Sequence, residues 1–132
     1  MYRNAGNGPD QGANAAKTIW YTMGEIASGV GGLGRQVRLA DLDGDGRADY
    51  ITVKDDGSAT VWWNLGFDAN RDPKVVWHSA TGEKIASGIG DGLGVRFADM
   101  NGDGKAEFIH MDTNAAVTLY LNQGRKTDGT WT

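Results

Sequence analysis

Cysteine is absent from the 132 residues, so the chain has no disulfide framework and no thiol chemistry. Histidine is scarce: His78 and His110 are the only two, and neither has a companion nucleophile motif. Ser28, Ser58, Ser79 and Ser87 all stand outside any Gly-x-Ser-x-Gly elbow. No long apolar run occurs, which argues against membrane insertion, while 39% hydrophobic residues suffice for one soluble domain with a real core. Met1 to Gly6 shows no apolar stretch of signal-peptide type. The 13 Lys and Arg are scattered rather than clustered, so no nucleic-acid face is expected.

Against these absences stands one acidic loop, present twice: Asp41-Leu42-Asp43-Gly44-Asp45-Gly46-Arg47-Ala48-Asp49, and 58 residues later Asp99-Met100-Asn101-Gly102-Asp103-Gly104-Lys105-Ala106-Glu107. Oxygens at positions 1, 3, 5 and 9, with the backbone carbonyl of position 7, can converge on one hard cation. The expected Ca²⁺ ligands are therefore Asp41, Asp43, Asp45, the carbonyl of Arg47 and Asp49 in one site. In the other they are Asp99, Asn101, Asp103, the carbonyl of Lys105 and Glu107. Glycines at positions 4 and 6 allow the sharp turns such a loop requires. The two loops hold seven of the 17 acids, and two bound Ca²⁺ would bring the formal charge of -4 to about zero. A single Asp-Gly loop could be a hairpin turn without metal. Two copies with oxygens at the same positions favour the metal.

An EF-hand requires a bidentate Glu at position 12 and flanking helices, but position 12 is Thr52 in one copy and His110 in the other. Apolar residues instead alternate on both sides of each loop: Val37 and Leu39, then Tyr50, Ile51 and Val53, matched by Val95 and Phe97, then Phe108, Ile109 and Met111. That period predicts β-hairpins closed by the loops.

Self-similarity extends beyond the loops. Ile26-Ala27-Ser28-Gly29 recurs as Ile85-Ala86-Ser87-Gly88, and Ala59-Thr60-Val61-Trp62-Trp63-Asn64 as Val117-Thr118-Leu119-Tyr120-Leu121-Asn122. Tyr2-Arg3-Asn4 repeats the end of that segment, and Trp20, Trp77 and Trp131 follow in turn. Each unit is expected to hold four short strands: into the loop, out of it, one ending at the Asn, and one around the Trp. The expected organisation is a single all-β repeat domain of about two and a half β-propeller blades: 1–26 a partial blade, 27–85 a complete blade, and 86–132 most of a further one. Two and a half blades cannot close a ring, so a larger parent chain or a homo-oligomer formed by head-to-tail blade completion is expected.

The run Val-Arg-Leu/Phe-Ala-Asp-x-Asp/Asn-Gly-Asp-Gly-Arg/Lys-Ala-Asp/Glu-Tyr/Phe-Ile, followed by a strand ending in Asn, resembles the FG-GAP/VCBS repeat family, the calcium-loop blades related to integrin α propellers. The resemblance implies Ca²⁺ in the hairpin joining the first two strands of a blade. It also implies secreted or cell-surface proteins whose blades bind carbohydrate or extracellular protein, or accompany a hydrolase. Glu107 departs from the usual Asp.

Nothing in the chain predicts catalysis. Gly29-Val30-Gly31-Gly32-Leu33-Gly34 has dinucleotide-motif spacing, but strand rather than helix follows it. The acids outside the loops fall mostly in turns, and Asp68-x-Asn70-x-Asp72 reads as a polar loop rather than a third cation site. The expected function is a calcium-binding, non-catalytic repeat module that binds carbohydrate in a lectin-like manner, or protein. The alternatives are a structural or targeting appendage of a secreted hydrolase, or a fragment of a polysaccharide-active enzyme. Recurring aromatics are first a packing signal, so the ligand candidates are the non-recurring Trp63, Tyr21 and His78.

Overall fold

Alternating apolar residues on each side of the acidic loops form short antiparallel strands, and the fold is all-β, with one 3-10 turn among the described residues, at Gly34–Gln36. The structure, a computed structural model, describes residues 2–4, 20–71, 75–78 and 81–125. Trp131, Ser79 and Asp72 lie outside the described residues. The chain divides into two compact units, residues 1–30 with 67–76 and residues 31–66 with 77–132.

The smaller unit carries β1 (Tyr2–Asn4) and β2 (Trp20–Thr22), which pair antiparallel with Asn4 opposite Trp20. In the larger unit β3 (Val37–Ala40) and β4 (Asp49–Val53) flank the first acidic loop, and β5 (Ser58–Trp62) returns beside β4. The chain crosses from one unit to the other within β6 (Asn64–Phe67) and back within β7 (Val75–Trp77). Next comes β8 (Glu83–Ser87), which completes a four-stranded sheet in the order β3-β4-β5-β8. A three-stranded sheet repeats the pattern: β9 (Val95–Ala98) and β10 (Glu107–Met111) flank the second loop, and β11 (Val117–Tyr120) pairs with β10.

One expectation changes here. The sequence pattern places the fourth strand around Trp77, whereas the strand that completes the sheet is Glu83–Ser87. Trp77 and His78 sit farther along, where the His78 N–H donates to the Trp63 carbonyl at 2.8 Å. The re-entry passes through Gly82, whose φ of +68° suits glycine, and a Cβ there would lie 2.7 Å from the side chains of Thr60 and Trp62.

Strand alternation separates two kinds of face. Ile51, Val53, Ala59 and Val61 form a buried aliphatic surface of the four-stranded sheet, joined in the core by Leu42, Val95 and Ala106. On its other face Tyr50 meets Trp62 and Trp77 edge-on, with ring centroids 5.9 Å apart in each pair. The three-stranded sheet repeats this ladder, with Phe108 edge-on to Phe97 at 5.5 Å and to Tyr120 at 5.6 Å. Phe97 and Phe108 pack against the aliphatic core, so the aromatic face of one repeat covers the aliphatic face of the repeat before it. Among the described side chains, the recurring Trp62, Trp77 and Tyr120 thus take part in aromatic packing.

The aliphatic face of the three-stranded sheet is treated differently. Leu119, the counterpart of the fully buried Val61, is 43% exposed, and Val117 and Met111 are exposed beside it. We expect Ile51→Ala to cost about 2–5 kcal/mol and Leu119→Ala less than about 1 kcal/mol. Urea unfolding of the two variants checks this ordering; equal losses would contradict the packing scheme.

Candidate metal centre

Each acidic loop is folded by its own first carboxylate. In the first, the Gly44 N–H donates to Asp41 Oδ1 at 2.7 Å and the Gly46 N–H to Asp41 Oδ2 at 2.8 Å. The second repeats this, Gly102 and Gly104 donating to Asp99 Oδ1 and Oδ2 at 2.7 and 2.9 Å. Positive φ at Gly44, Gly46, Gly102 and Gly104, between +80° and +90°, wraps both loops inward as the sequence requires. Position 3 accepts from the position 5 N–H, as Asp43 from Asp45 at 3.1 Å and Asn101 from Asp103 at 2.9 Å. The backbone N–H of Arg47 and that of Lys105 each donate to the position 5 carboxylate at 2.8 Å. A carboxylate oxygen has two lone pairs, so these bonds leave room for a cation.

Carboxylate oxygens of Asp41, Asp43 and Asp49 lie within 4.8 Å of one another, a donor set made wholly of hard oxygens, as Ca²⁺ requires. Asp45 stands outside this cluster and pairs with the Arg47 guanidinium, whose Nε also donates to the Asn64 carbonyl at 2.9 Å. The second loop brings together no such trio of acids among the described residues, because Asn101 takes the place of Asp43. What it has instead is Glu107, fully buried, whose Oε2 accepts the Met100 N–H at 2.6 Å while Oε1 has no hydrogen-bond partner. A buried carboxylate oxygen without a donor is costly, and a cation would satisfy it.

Position 9 of the first loop is satisfied differently. Asp49 is also fully buried, and its oxygens accept the N–H of Leu42 at 3.0 Å and of Asn64 at 2.9 Å. Burial pushes its carboxyl up to about 6, against the lowering effect of those two bonds. Burial also raises the Asp43 carboxyl, with like charge on Asp45 and Asp41 adding to the effect, while the Lys105 N–H holds Asp103 below its ordinary value.

Two asparagines that the ligand pattern overlooks buttress the loops. Asn64 Nδ2 donates to the Ala48 carbonyl at 2.9 Å, and Asn122 Nδ2 to the Ala106 carbonyl at 3.0 Å. Asn122 Nδ2 also reaches the Leu42 carbonyl at 2.8 Å, and the Ala106 N–H donates to the Asp41 carbonyl at 2.7 Å. The two loops are thereby tied to each other. Recurrence of Asn at the end of the third strand was the available signal.

Among the ligand candidates, Trp63 is half-buried and its Nε1–H donates to Glu83 Oε2 at 3.1 Å, while His78 is exposed. Tyr21 lies in β2 of the other unit, opposite Arg3. Asp68 accepts the Asn70 N–H at 2.9 Å, a polar turn.

A family model described as FG-GAP-like repeat matches residues 41–110, just over half the chain and both acidic loops. No curated protein and no solved structure matches.

The burial of Asp49 has a consequence for the metal-free protein. Its folded pKa of about 6 lies above the ordinary carboxylate value of 3.8 expected when unfolded, so protonation favours the folded state. That contribution is complete below the unfolded value and is lost as the pH rises through about 6. In chelator, the stability difference between wild type and Asp49→Asn should therefore move against wild type between pH 4 and pH 7, as read from urea midpoints. A difference independent of pH would contradict the assignment.

Proposed function

The chain belongs to the FG-GAP-like repeat family, and on that premise we propose that it is a calcium-stabilised, non-catalytic β-propeller repeat module that works outside the cell by binding a ligand. The observation that carries the metal reading is the cluster of Asp41, Asp43 and Asp49 oxygens in a loop whose backbone fold is repeated, bond for bond, around Asp99. Asp41, Asp43 and Asp49 would hold one ion; Asp99, Asn101 and the donorless oxygen of Glu107 would hold the other. The Arg47 and Lys105 carbonyls, with Asp45 or Asp103, supply further oxygens toward the six to eight that Ca²⁺ takes.

The role proposed for the metal is structural. It offsets repulsion among carboxylates at the point where the two repeats are joined, and calcium at extracellular concentrations suits sites of this kind, with Kd on the order of 10⁻⁴ to 10⁻³ M. A binding rather than catalytic role is favoured because most of the described acids lie in the acidic loops and turns, Glu83 of β8 is taken up by Trp63 and Arg125, and neither His78 nor His110 hydrogen-bonds to a serine or threonine hydroxyl among the described residues. His110 is held instead by Asp91 at 2.9 Å. Carbohydrate is the ligand class favoured, since Trp63 departs from the repeat and is half-exposed.

Calcium should raise the melting temperature, each independent site adding about 2.7 kcal/mol at 100 times its Kd. Excess EDTA should reverse the shift, and Asp43→Ala should abolish one site and leave the other. Identical melting curves in calcium and in EDTA, with no calcium by elemental analysis, would overturn the proposal.

A further inference from the structure

Most side chains in a repeat protein are repeated because the packing is repeated, so residues that depart from the repeat mark what packing does not require. Trp63 is such a residue: the corresponding position is Leu121 in the following unit and Arg3 in the preceding one. His78 is another, following Trp77 where Tyr21 follows Trp20. The structure brings Trp63 and His78 to one cavity of about 440 Å³ in the larger unit, together with Asp43 of the first loop, Lys105 of the second, Leu65 and Arg125. Its size lies within the roughly 300–1,000 Å³ of small-ligand sites.

We propose that this cavity binds an acidic sugar, a hexuronate residue of a polysaccharide or glycan; the proposal rests on the reading of the chain as a carbohydrate-binding module. The wall is built to hold one ring. The Trp63 indole is fixed by its Nε1–H bond to Glu83 Oε2 at 3.1 Å, and the other Glu83 oxygen takes the Arg125 guanidinium, so the aromatic side chain is positioned before any ligand arrives. A sugar has one C–H face that stacks on an indole and a rim of hydroxyls, which suits a cavity that sets Trp63 and two leucines, Leu42 and Leu65, beside the polar groups of Asp43, His78, Lys105 and Arg125.

Charge selects the acid. The lining carries two cations, Lys105 and Arg125, against one acid, Asp43; Arg125 is paired with Glu83, and Lys105 forms no ion pair among the described residues. Asp43 is also a ligand of the proposed first metal site, where the cation, shared with Asp41 and Asp49, would offset part of its charge. With the metal in place the cavity presents an excess of positive charge beside the indole, the complement of a ring carboxylate.

Tryptophan fluorescence titration of the full chain in millimolar calcium tests this, with oligosaccharides of glucuronate, galacturonate and mannuronate and their neutral counterparts as probes. At least one uronate should bind, at least tenfold more tightly than its neutral counterpart, with affinity falling as ionic strength rises. Trp63→Leu, which installs the residue of the next repeat, should weaken it at least tenfold by calorimetry while leaving the melting curve cooperative, and His78→Gln should weaken it severalfold. Binding of no uronate at millimolar concentration, equal affinity for neutral sugars, or an unaltered affinity in Trp63→Leu would overturn the proposal. Uronate binding in a protein whose melting ignores calcium would support the cavity and remove only the metal reading. Calcium stabilisation without uronate binding would do the reverse.

Discussion

Two carboxylates taken out of water, Asp49 and Glu107, govern this structure. Each begins the strand that leaves an acidic loop, and each reaches back to the loop's second residue, Asp49 to the Leu42 N–H and Glu107 to the Met100 N–H. A buried carboxylate must be hydrogen-bonded or matched by a cation. Asp49 meets that demand with two backbone donors; Glu107, one methylene longer, meets half of it. The loops are therefore anchored in the fold by a buried carboxylate, rather than surface turns that happen to be acidic.

From that constraint the packing follows. Because each loop pins the ends of its hairpin, the strands present a fixed aliphatic face and a fixed aromatic face, and Phe97 and Phe108 of one repeat close over the core around Ile51 and Val61 of the other. Asn122 and the Ala106 N–H then bridge the first loop to the second. A cation held at either loop, as proposed, would act on the contact between repeats as well as on its own hairpin.

Much of this was legible in the sequence, because the informative features come in pairs. The hydrogen bonds that fold the loops, the glycines of positive φ, the flanking hairpins and the aromatic ladder all follow from residues that recur. The fourth strand was misplaced because Trp77 recurs more visibly than the Gly82-Glu83 pair after it, which repeats Gly24-Glu25 and, through the positive φ of Gly82, lets β8 re-enter beside Trp62. Full burial of Asp49 and Glu107 was not legible, since charge gives no hint that tertiary packing will cover them. The convergence of Trp63, His78 and Lys105 was hidden for a related reason: they are far apart in sequence, and only tertiary packing brings them to one cavity.

The central claim is that both loops are cation sites, including the one whose ninth residue is Glu. Isothermal titration of the chelator-treated chain with calcium tests it most directly. The account predicts two Ca²⁺ per chain, one lost in Asp43→Ala and the other in Glu107→Gln. Titration without heat, or a single site that survives Asp43→Ala and Glu107→Gln alike, would contradict it.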